Sequence, residues 1–399
     1  MDVGGINPSP ARPAPRPVSP PVLLYGHAGR HPNIFYRTHF VTRDPYVVVD
    51  EGPGRVTAWV NPVDFHRAAQ DARPGVTVRS FAELHPSPAL IAAAPALDSE
   101  AYLLASVLEA HKLRKVLVDK DFPAAELQDL ALLGFSLTIG RHLYQRERRI
   151  KTAQELEQLT ATHQAAMDVM NYAISIIKAA EIKNGRLYRN GDPLTGDGVL
   201  RLVEQRLLEI GYTTEGSIVA GGPYNADPHR TTSPVLRAGF PIVIDIYPFG
   251  KIARMWGDLT RTVVRGDAPA DVDRMYAAVQ AAEERAVSMV RPGVTGAQIH
   301  TAVLEEFKRR GFASDAPGYR DIPSRARFTH GTGHGMGLEE HEDPVIGTGA
   351  ADPLEAGDVI TIEPGLYDPV LGGVRLEDTL VVTQDGHYSL TPYAKVFHI

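Results

Sequence analysis

The sequence has no cysteine, no long apolar run and no block of basic residues. Without cysteine the chain cannot form disulfides, thiolate zinc sites or a cysteine nucleophile, so any metal must be bound through nitrogen and oxygen. The longest apolar runs, such as residues 90–97, fall well short of the roughly 18 residues that span a bilayer. No secretory signal is visible at the N-terminus. These absences predict a soluble protein without a membrane partner, and the cytoplasm is the default location.

The balance of charge argues against nucleic acid as a partner. The formal net charge is −7 and the isoelectric point is near 6.1, so the chain repels phosphate backbones on average. With 43% hydrophobic and 22% charged residues, the composition is that of an ordinary globular protein. Its 399 residues exceed a single core of about 100–200 residues, which predicts two domains.

Three segments follow one another along the chain. Residues 1–21 are rich in proline, which lacks a backbone donor, so we predict a flexible tail; docking of a proline-binding partner there is the alternative. Residues 22–148 alternate β-rich and helical runs, the pattern of an α/β domain. Thr152 and Glu155 then form a capping box before an apolar helical stripe. We therefore predict a C-terminal domain over residues 149–399.

The C-terminal domain is predicted to combine helices with antiparallel strands. Apolar residues at helical spacing predict three more helices near residues 200–210, 275–286 and 299–307, the last capped by Thr295 with Gln298. Apolar runs predict strands over residues 241–247, 256–264, 359–362 and 379–383. Helices on one side of a largely antiparallel sheet, an α+β arrangement, is the economical architecture.

Four acidic residues are set into apolar strands. Asp245 lies within Ile-Val-Ile-Asp-Ile, and Asp258, Glu363 and Glu377 adjoin similar runs. A buried carboxylate must be paired, protonated or bound to a cation, because burying it alone costs several kcal/mol. If the four converge, they need a multiply charged cation between them. The alternative distributes them over separate salt bridges, for which the candidate partners are Arg254, Arg261 and Arg375.

A glycine-rich turn supplies histidines. Residues 330–337 read His-Gly-Thr-Gly-His-Gly-Met-Gly, so the backbone can approach other groups closely while His330 and His334 are the only long polar side chains. The run does not satisfy Gly-x-Gly-x-x-Gly, which disfavours a dinucleotide site. A histidine beside buried acids instead favours a metal site.

Together these segments resemble the metallopeptidases of the pita-bread fold, in particular aminopeptidase P and prolidase. The similarity covers nearly all of residues 150–399, and residues 22–148 are similar to the smaller N-terminal α/β domain of those enzymes. The matching residues are Asp245, the Asp258-Leu-Thr-Arg-Thr block, residues 330–337 with Glu340-His341-Glu342, Glu363-Pro-Gly-Leu-Tyr367, and Arg375-Leu-Glu377-Asp378.

The resemblance implies a site with two metal ions. Asp258 and Glu377 would bridge the ions, Asp245 would hold one of them, and His334 and Glu363 would complete the other. Such a set of carboxylates with one imidazole suits Mn²⁺, with Co²⁺, Zn²⁺ and Fe²⁺ as the alternatives. Glu363 would also carry the proton to the leaving nitrogen.

The resemblance also implies roles around the substrate. His229 and His341 match histidines that contact the substrate and stabilise the tetrahedral intermediate. His330 is expected to line the pocket for the substrate ring, and Arg375, the other candidate substrate-binding residue, is expected to orient Glu377 rather than to touch the substrate. The implied activity is hydrolysis of the Xaa-Pro bond at the N-terminus of short peptides or in dipeptides, by a homodimer or homotetramer.

Two other classes of function and two unusual segments stay open. A C–N hydrolase or lyase on the same fold, or a binding module without catalysis, is the alternative, and the intact ligand set argues against both. The segment between Asp245 and Asp258 is longer than expected, so its tip, residues 248–253, is predicted to reshape the mouth of the cleft. The loop 312–328 carries arginines that are candidates to bind a peptide carboxylate, namely Arg320, Arg325 and Arg327.

Overall fold

The computed structural model of the protein describes residues 21–93 and 97–399. The proline-rich segment predicted over residues 1–21 therefore lies outside the described residues, apart from Pro21. The described residues form two compact units, one up to residue 148 and one from residue 149 to 399.

The first unit is built on a six-stranded mixed sheet. In chain order its elements are β1 (Val22–Gly26), α1 (Pro32–Thr38), β2 (Tyr46–Asp50), β3 (Val56–Val60), α2 (Phe65–Asp71), β4 (Val76–Ser80), α3 (Pro88–Ala93), α4 (Ser99–Ala110), β5 (Lys115–Asp119), α5 (Ala124–Leu132), β6 (Ser136–Gly140) and α6 (Gln145–Arg149). The strand order is β4-β3-β2-β1-β5-β6. This is the α/β organisation that the alternating runs predict.

The central strands of this sheet are apolar because helices cover them. Every residue of β1 and β2 is buried, which is typical of strands that lie in the middle of a covered sheet. Leu104 and Leu108 of α4 belong to the same apolar core as Leu23 and Val47. Strands β1, β2 and β3 pair antiparallel, whereas β4, β5 and β6 join the sheet by parallel pairing.

The second unit contains more strands, most of them short. In chain order its elements are α7 (Ala153–Lys178), β7 (Glu181–Lys183), β8 (Arg186–Arg189), β9 (Asp192–Pro193), α8 (Gly196–Glu209), β10 (Tyr212–Thr213), β11 (Ile218–Gly221), β12 (Ile242–Ile246), β13 (Phe249–Gly250), β14 (Leu259–Val263), α9 (Ala270–Met289), α10 (Gly296–Arg309), β15 (Ala313–Ser314), β16 (Arg327–Phe328), β17 (Gly333–Gly335), β18 (Glu342–Ile346), β19 (Val359–Ile362), β20 (Gly365–Asp368), β21 (Gly372–Arg375), β22 (Asp378–Val382) and β23 (His387–Ser389). Across the described residues of both units, no helix combines the length and the apolar character that crossing a bilayer requires.

Two antiparallel sheets of this unit are each covered by a pair of helices. Strands β11, β12 and β14 form one sheet, and its apolar residues share a core with α7 and α8. Strands β18, β17, β19, β22 and β23 form the other, and α9 and α10 share its core. This arrangement confirms the predicted α+β architecture. It places one of the four acidic residues within β12 and the other three at the ends of β14, β19 and β22.

Local sequence signals set where two of the helices begin. The Thr152 hydroxyl accepts a hydrogen bond from the Glu155 N–H at 3.2 Å, and the Glu155 carboxylate accepts one from the Thr152 N–H at 2.8 Å. Thr295 and Gln298 make the same reciprocal pair at the start of α10, at 3.2 and 2.9 Å. Both predicted capping boxes are confirmed, and each satisfies donors that the first turn of a helix leaves free.

One predicted strand is shorter than its apolar pattern indicates. The pattern predicts a strand over residues 256–264, but β14 begins at Leu259. The preceding N–H groups donate outside the ladder, that of Trp256 to the Gly337 carbonyl at 2.9 Å and that of Gly257 to the Pro248 carbonyl at 2.9 Å. The segment before β14 is thus tied to neighbouring loops, and Asp258 lies at the end of that segment.

Candidate metal centre

The acidic residues Asp245 and Asp258 are brought together by strand pairing. All five residues of β12 are buried, and Asp245 within it is 8% exposed. Strand β12 pairs antiparallel with β14 so that Asp245 lies opposite Thr260. Asp258, directly before β14, is 5% exposed. Two carboxylates therefore lie in the interior of one sheet, where only a partner or a cation can compensate their charge.

The described residues bring three side chains into one cluster. One ligand atom each from Asp258, His334 and Glu377 lies within 4.8 Å of the other two. Nε2 of His334 lies 3.7 Å from Oδ2 of Asp258 and 3.6 Å from Oε1 of Glu363. Asp245 is not part of this tight group, although its charge acts on Glu363 and Glu377. Of the five predicted ligands, three thus form the tight group, Glu363 lies beside His334, and Asp245 lies outside the group but interacts with its charges.

Thr260 and Arg261 hold the Glu377 segment. The Thr260 hydroxyl donates to Oε2 of Glu377 at 2.8 Å, and the Glu377 N–H donates to the Thr260 carbonyl at 3.1 Å. The Arg261 guanidinium donates to the Glu377 carbonyl at 2.6 Å and to the Asp378 carboxylate at 2.7 Å. Because β14 supplies these groups, the position of Glu377 depends on the same strand that follows Asp258.

The glycines on either side of His334 are required by close packing. A Cβ added to Gly333 would lie 2.0 Å from the Thr361 carbonyl oxygen, and one on Gly335 would lie 2.2 Å from that of Asp343. Neither position can accommodate a larger residue, because both contacts are with backbone. Strand β17 therefore lies tightly between its neighbours, and it presents the His334 imidazole to the acidic residues.

Several carboxylate oxygens of the cluster have no hydrogen-bond partner. Among the described residues, Oδ1 of Asp245, Oδ1 of Asp258 and Oε1 of Glu377 are buried and accept no hydrogen bond. A buried oxygen of this kind costs free energy unless a cation binds it. Four carboxylates and one imidazole are hard oxygen donors with a borderline nitrogen, a set that suits Mn²⁺ and similar divalent ions. The residues present fit a divalent metal centre.

Burial raises the pKa values of the carboxyl groups, a shift that a bound cation would oppose, and it lowers the pKa of the imidazole. Burial and the neighbouring Glu377 raise the pKa of Asp258 well above its usual value, and burial raises that of Glu363 to about 8. Burial also lowers the pKa of His334 to about 3. His334 is therefore neutral, as a metal ligand must be, and without a cation the carboxyls would compete for protons.

Arg375 connects Asp245 to the predicted pocket residue His330. Its guanidinium donates to Oδ2 of Asp245 at 2.5 Å and to the Tyr367 hydroxyl at 2.9 Å. Since arginine only donates, the Tyr367 hydroxyl accepts this bond and donates its own hydrogen to Nε2 of His330, 2.8 Å away. Nδ1 of His330 then donates to the Gly331 carbonyl at 2.8 Å. Both ring nitrogens of His330 are thus hydrogen-bonded within the protein.

The role expected for Arg375 differs in detail from its contacts. The sequence predicts that Arg375 orients Glu377. Its guanidinium pairs with Asp245 and also donates to the Thr260 hydroxyl at 3.4 Å, and that hydroxyl donates to the Glu377 carboxylate, so the connection to Glu377 runs through Thr260. The alternative in which the acids form separate salt bridges with arginines is therefore correct for one oxygen of Asp245, which pairs with Arg375. The other oxygen of Asp245 is unpaired and available to a cation.

The two predicted catalytic histidines, His229 and His341, are exposed. The His341 ring lies 4.1 Å from that of His334, nearly perpendicular to it, and its side chain is 70% exposed. His229 is exposed, and its N–H donates to the Asp227 carboxylate at 3.0 Å. The positive charge of His229 would act on both His330 and His341. Both histidines are therefore exposed to solvent, in contrast to the buried acids.

The arginine-rich loop and the long hairpin have partners of their own. Arg325 pairs with Asp368 at 3.2 Å and Arg327 with Asp315 at 2.9 Å. In the hairpin, the Tyr247 hydroxyl donates to the Gly216 carbonyl, and Ile252 at the tip is 95% exposed. Arg325 and Arg327 are therefore already engaged with acids, and Arg320 donates to the Asp315 backbone carbonyl at 2.6 Å. The hairpin is anchored at Tyr247 below an exposed tip.

Three residues that contact the centre are not assigned by the sequence. Thr260 lies two positions after Asp258, and Tyr367 lies four positions after Glu363. His163 lies on α7, fully buried, and burial lowers its pKa to about 4. A polar residue on the buried face of an apolar helix, four positions after Leu159, is the signal that could have identified His163.

Comparisons with known proteins agree with this centre. The family model described as metallopeptidase family M24 matches residues 157–384, a range that contains all five predicted ligands. An uncharacterized peptidase, YqhT, of Bacillus subtilis is 28% identical over 253 residues, which cover 61% of this chain and 62% of that protein. The Xaa-Pro dipeptidase of Pyrococcus furiosus is 37% identical over 177 residues, or 44% of this chain and 47% of that protein. The chain thus spans less than two thirds of the length of either relative.

A solved structure extends the likeness to nearly the whole chain. The Xaa-Pro dipeptidase from Bacillus anthracis superposes with a TM-score of 0.76 over 95% of both chains, at 23% identity. At that identity the likeness shows the fold. The chain has the pita-bread architecture with the additional N-terminal α/β unit.

Proposed function

Because the chain belongs to metallopeptidase family M24, we propose that it hydrolyses the Xaa-Pro bond at the N-terminus of short peptides or in Xaa-Pro dipeptides. The observation that carries this proposal is the cluster of Asp258, His334 and Glu377 with unpaired buried oxygens, inside the region that matches the family. The Xaa-Pro dipeptidase among the relatives supports the choice of substrate.

The proposed ligands are the five residues that surround the centre. Asp258 and Glu377, the most buried of the acids with Asp245, are assigned to both ions. Asp245 serves one ion, and His334 with Glu363 serves the other. Mn²⁺ is the proposed metal, and Co²⁺, Zn²⁺ or Fe²⁺ are the alternatives for a set of this chemistry.

The side chains around the centre divide the remaining work. Divalent ions held here would polarise the scissile carbonyl and lower the pKa of a water. Glu363 is 20% exposed at its side chain and lies beside His334, so it can reach both water and substrate. It is assigned the transfer of a proton from the attacking water to the leaving nitrogen. His341 and His229, which are exposed, are assigned hydrogen bonds to the oxygen of the scissile carbonyl, on which negative charge develops.

Further features of the proposal concern the cellular form of the protein. It is proposed to act in the cytoplasm as a homodimer or homotetramer, on short proline-containing peptides. The alternatives are a C–N hydrolase or lyase on the same fold and a module that binds without catalysis. Loss of ligands would favour the last alternative, and this chain has kept all five.

Product analysis on three peptides tests the proposal. Protein loaded with Mn²⁺, with its metal content measured, is incubated with Ala-Pro, Ala-Pro-Ala and Met-Ala, and the products are separated by chromatography. Release of alanine from a proline peptide is expected, and Met-Ala should remain intact. If protein with about two metals per chain cleaves neither proline peptide, the proposal is wrong. Cleavage of Ala-Pro alone would select the dipeptidase, and cleavage of Ala-Pro-Ala the aminopeptidase.

A further inference from the structure

We propose that His163 is a positioning residue, which holds the backbone of Asp258 from helix α7 and thereby sets the Asp258 carboxylate for metal binding. The inference rests on the proposed function in one respect, since it takes Asp258 to be a metal ligand. It assigns a role to a residue outside the predicted set.

The two ring nitrogens of His163 have different partners. The Asp258 N–H donates to Nε2 at 3.3 Å, and Nδ1 lies 2.7 Å from the Leu159 carbonyl oxygen. A backbone N–H can only donate, so Nε2 must be the acceptor. A carbonyl can only accept, so the ring proton must be on Nδ1. One neutral tautomer satisfies both contacts, and the ring is 0% exposed.

Among the described residues, the Asp258 N–H has no other hydrogen-bond acceptor. Strand β14 begins one residue later, and the final pair of its ladder with β12 is Ile246 with Leu259. The N–H of Asp258 therefore lies outside the sheet but inside the protein. A buried N–H without an acceptor costs about 1–3 kcal/mol, so an acceptor at this position stabilises the backbone conformation of the ligand segment.

Close packing of α7 against the segment before β14 brings the two residues together. A Cβ on Gly257 would lie 3.0 Å from Cγ2 of Thr162 and 3.3 Å from its carbonyl oxygen. The segment is thus in direct contact with the helix one residue before Asp258. Gly257 allows the segment before β14 to approach the helix closely. His163 follows Thr162 on the helix, and it accepts the hydrogen bond from the N–H of Asp258, which follows Gly257.

The backbone of Asp258 is held at its other end as well. The Thr379 hydroxyl donates to the Asp258 carbonyl at 3.0 Å. With His163 on the N–H and Thr379 on the carbonyl, both polar backbone groups of Asp258 are hydrogen-bonded. Outer groups that fix a ligand in this way change metal affinity by about 10–100-fold when removed.

Three substitutions of His163 separate the acceptor from the volume of the ring. His163→Gln can place its amide oxygen where Nε2 lies, His163→Asn is too short to reach Asp258, and His163→Leu fills the space without an acceptor. The dissociation constant of Mn²⁺ is measured by calorimetry on metal-free protein, and the melting temperature by circular dichroism. The control is His111→Leu, which removes two hydrogen bonds, to Glu51 and Trp59, in the other unit.

Mn²⁺ affinity is expected to be highest in the wild type, lower in His163→Gln and lowest in His163→Asn and His163→Leu. Asn and Leu should weaken binding by at least about tenfold, while Gln should stay within a few-fold of wild type. The His111→Leu control should lower the melting temperature without changing Mn²⁺ affinity.

Equal affinity in folded wild type, Asn and Leu variants would overturn the inference, because His163 would then contribute to stability alone. So would a folded Gln variant that binds as weakly as Asn. If the Leu variant does not fold, the comparison of Gln with Asn decides. A wild-type protein that binds no Mn²⁺ would instead contradict the proposed function, so the two failures are distinguishable.

Discussion

Buried acids occur in both units, and their surroundings differ. In the first unit Asp50 is 1% exposed, and both of its oxygens are satisfied. Oδ2 accepts from Arg37 at 2.9 Å and from the Tyr144 hydroxyl at 2.8 Å, and Oδ1 accepts from the Gly52 N–H at 2.9 Å. In the second unit Asp258 and Glu377 are also deeply buried, but within the part of the chain that the structure describes each keeps an oxygen without a hydrogen-bond partner.

The comparison shows that burial alone does not mark a metal site. An acid such as Asp50 is a structural residue, because donors of its own unit compensate its charge. The acids of the centre lie close together, so each negative charge raises the free-energy cost of ionising the next carboxyl group. A metal site is indicated where several buried acids lie close together and some of their oxygens have no hydrogen-bond partner.

Glu283 is the intermediate case. Among the described residues its Oε2 also accepts no hydrogen bond, but this oxygen forms an ion pair with Nζ of Lys395, 3.0 Å away. Burial is the main cause that raises the pKa of Glu283 to about 7. It is distant in sequence from every predicted ligand and pairs with Lys395, so we expect it to bind no metal, and its burial favours a bound proton.

The substitution Asp258→Asn should have the largest effect. It removes a charge from the centre of the ligand cluster, so both bound metal and turnover should be lost, the latter to below detection. Metal content is measured by elemental analysis and turnover with Ala-Pro. An active, metal-replete Asn variant would refute the two-metal arrangement.

Glu363→Gln should separate metal binding from proton transfer. Glutamine keeps a ligand oxygen but cannot carry a proton, so turnover should fall by about 10²–10⁴-fold even at saturating Mn²⁺. The ratio of kcat values is the measurement, taken after metal content has been verified. Near-normal kcat would assign the proton transfer to another group.

Asp50→Asn should affect stability alone. Removing this carboxylate leaves Arg37 buried without its partner, which should lower the free energy of unfolding by about 3 kcal/mol. Urea denaturation gives the stability, and elemental analysis should give the metal content of the wild type in the folded variant. Loss of metal in folded protein would contradict the distinction between the two kinds of buried acid.

Glu283→Gln should change the pH dependence of stability. The folded-state pKa of about 7 lies above the usual value of 4.5 for glutamate, so the stabilising contribution is fully present below pH 4.5 and is lost as the pH rises through about 7. Between pH 5 and pH 8 the free energy of unfolding of the wild type should therefore fall more than that of the Gln variant, by on the order of 2 kcal/mol. Denaturation curves at both values test this, and parallel behaviour of the two proteins would mean that Glu283 is already ionised at pH 5.

Much of the fold was predictable because its signals are local. The capping boxes at Thr152 and Thr295 and the apolar periodicity of α8, α9 and α10 depend on residues within a few positions of one another. The predicted strand over residues 256–264 was too long, because the N–H groups before Leu259 bond to distant loops, which an apolar pattern does not reveal. The pairing of Arg375 with Asp245 rather than Glu377 was missed for the same reason.

The sequence by itself determined which groups are available: strand-borne acids, a histidine between glycines and no thiol. Those features follow from composition and short-range pattern, and they were sufficient to indicate metal chemistry. The tertiary structure decided how the groups are held. Arg375 meets Asp245 across 130 positions of the chain, Thr260 meets Glu377 across 117, and His163 meets Asp258 across 95. Such contacts form only when helices and sheets pack, because hydrogen bonding depends on distance in space rather than on distance along the chain.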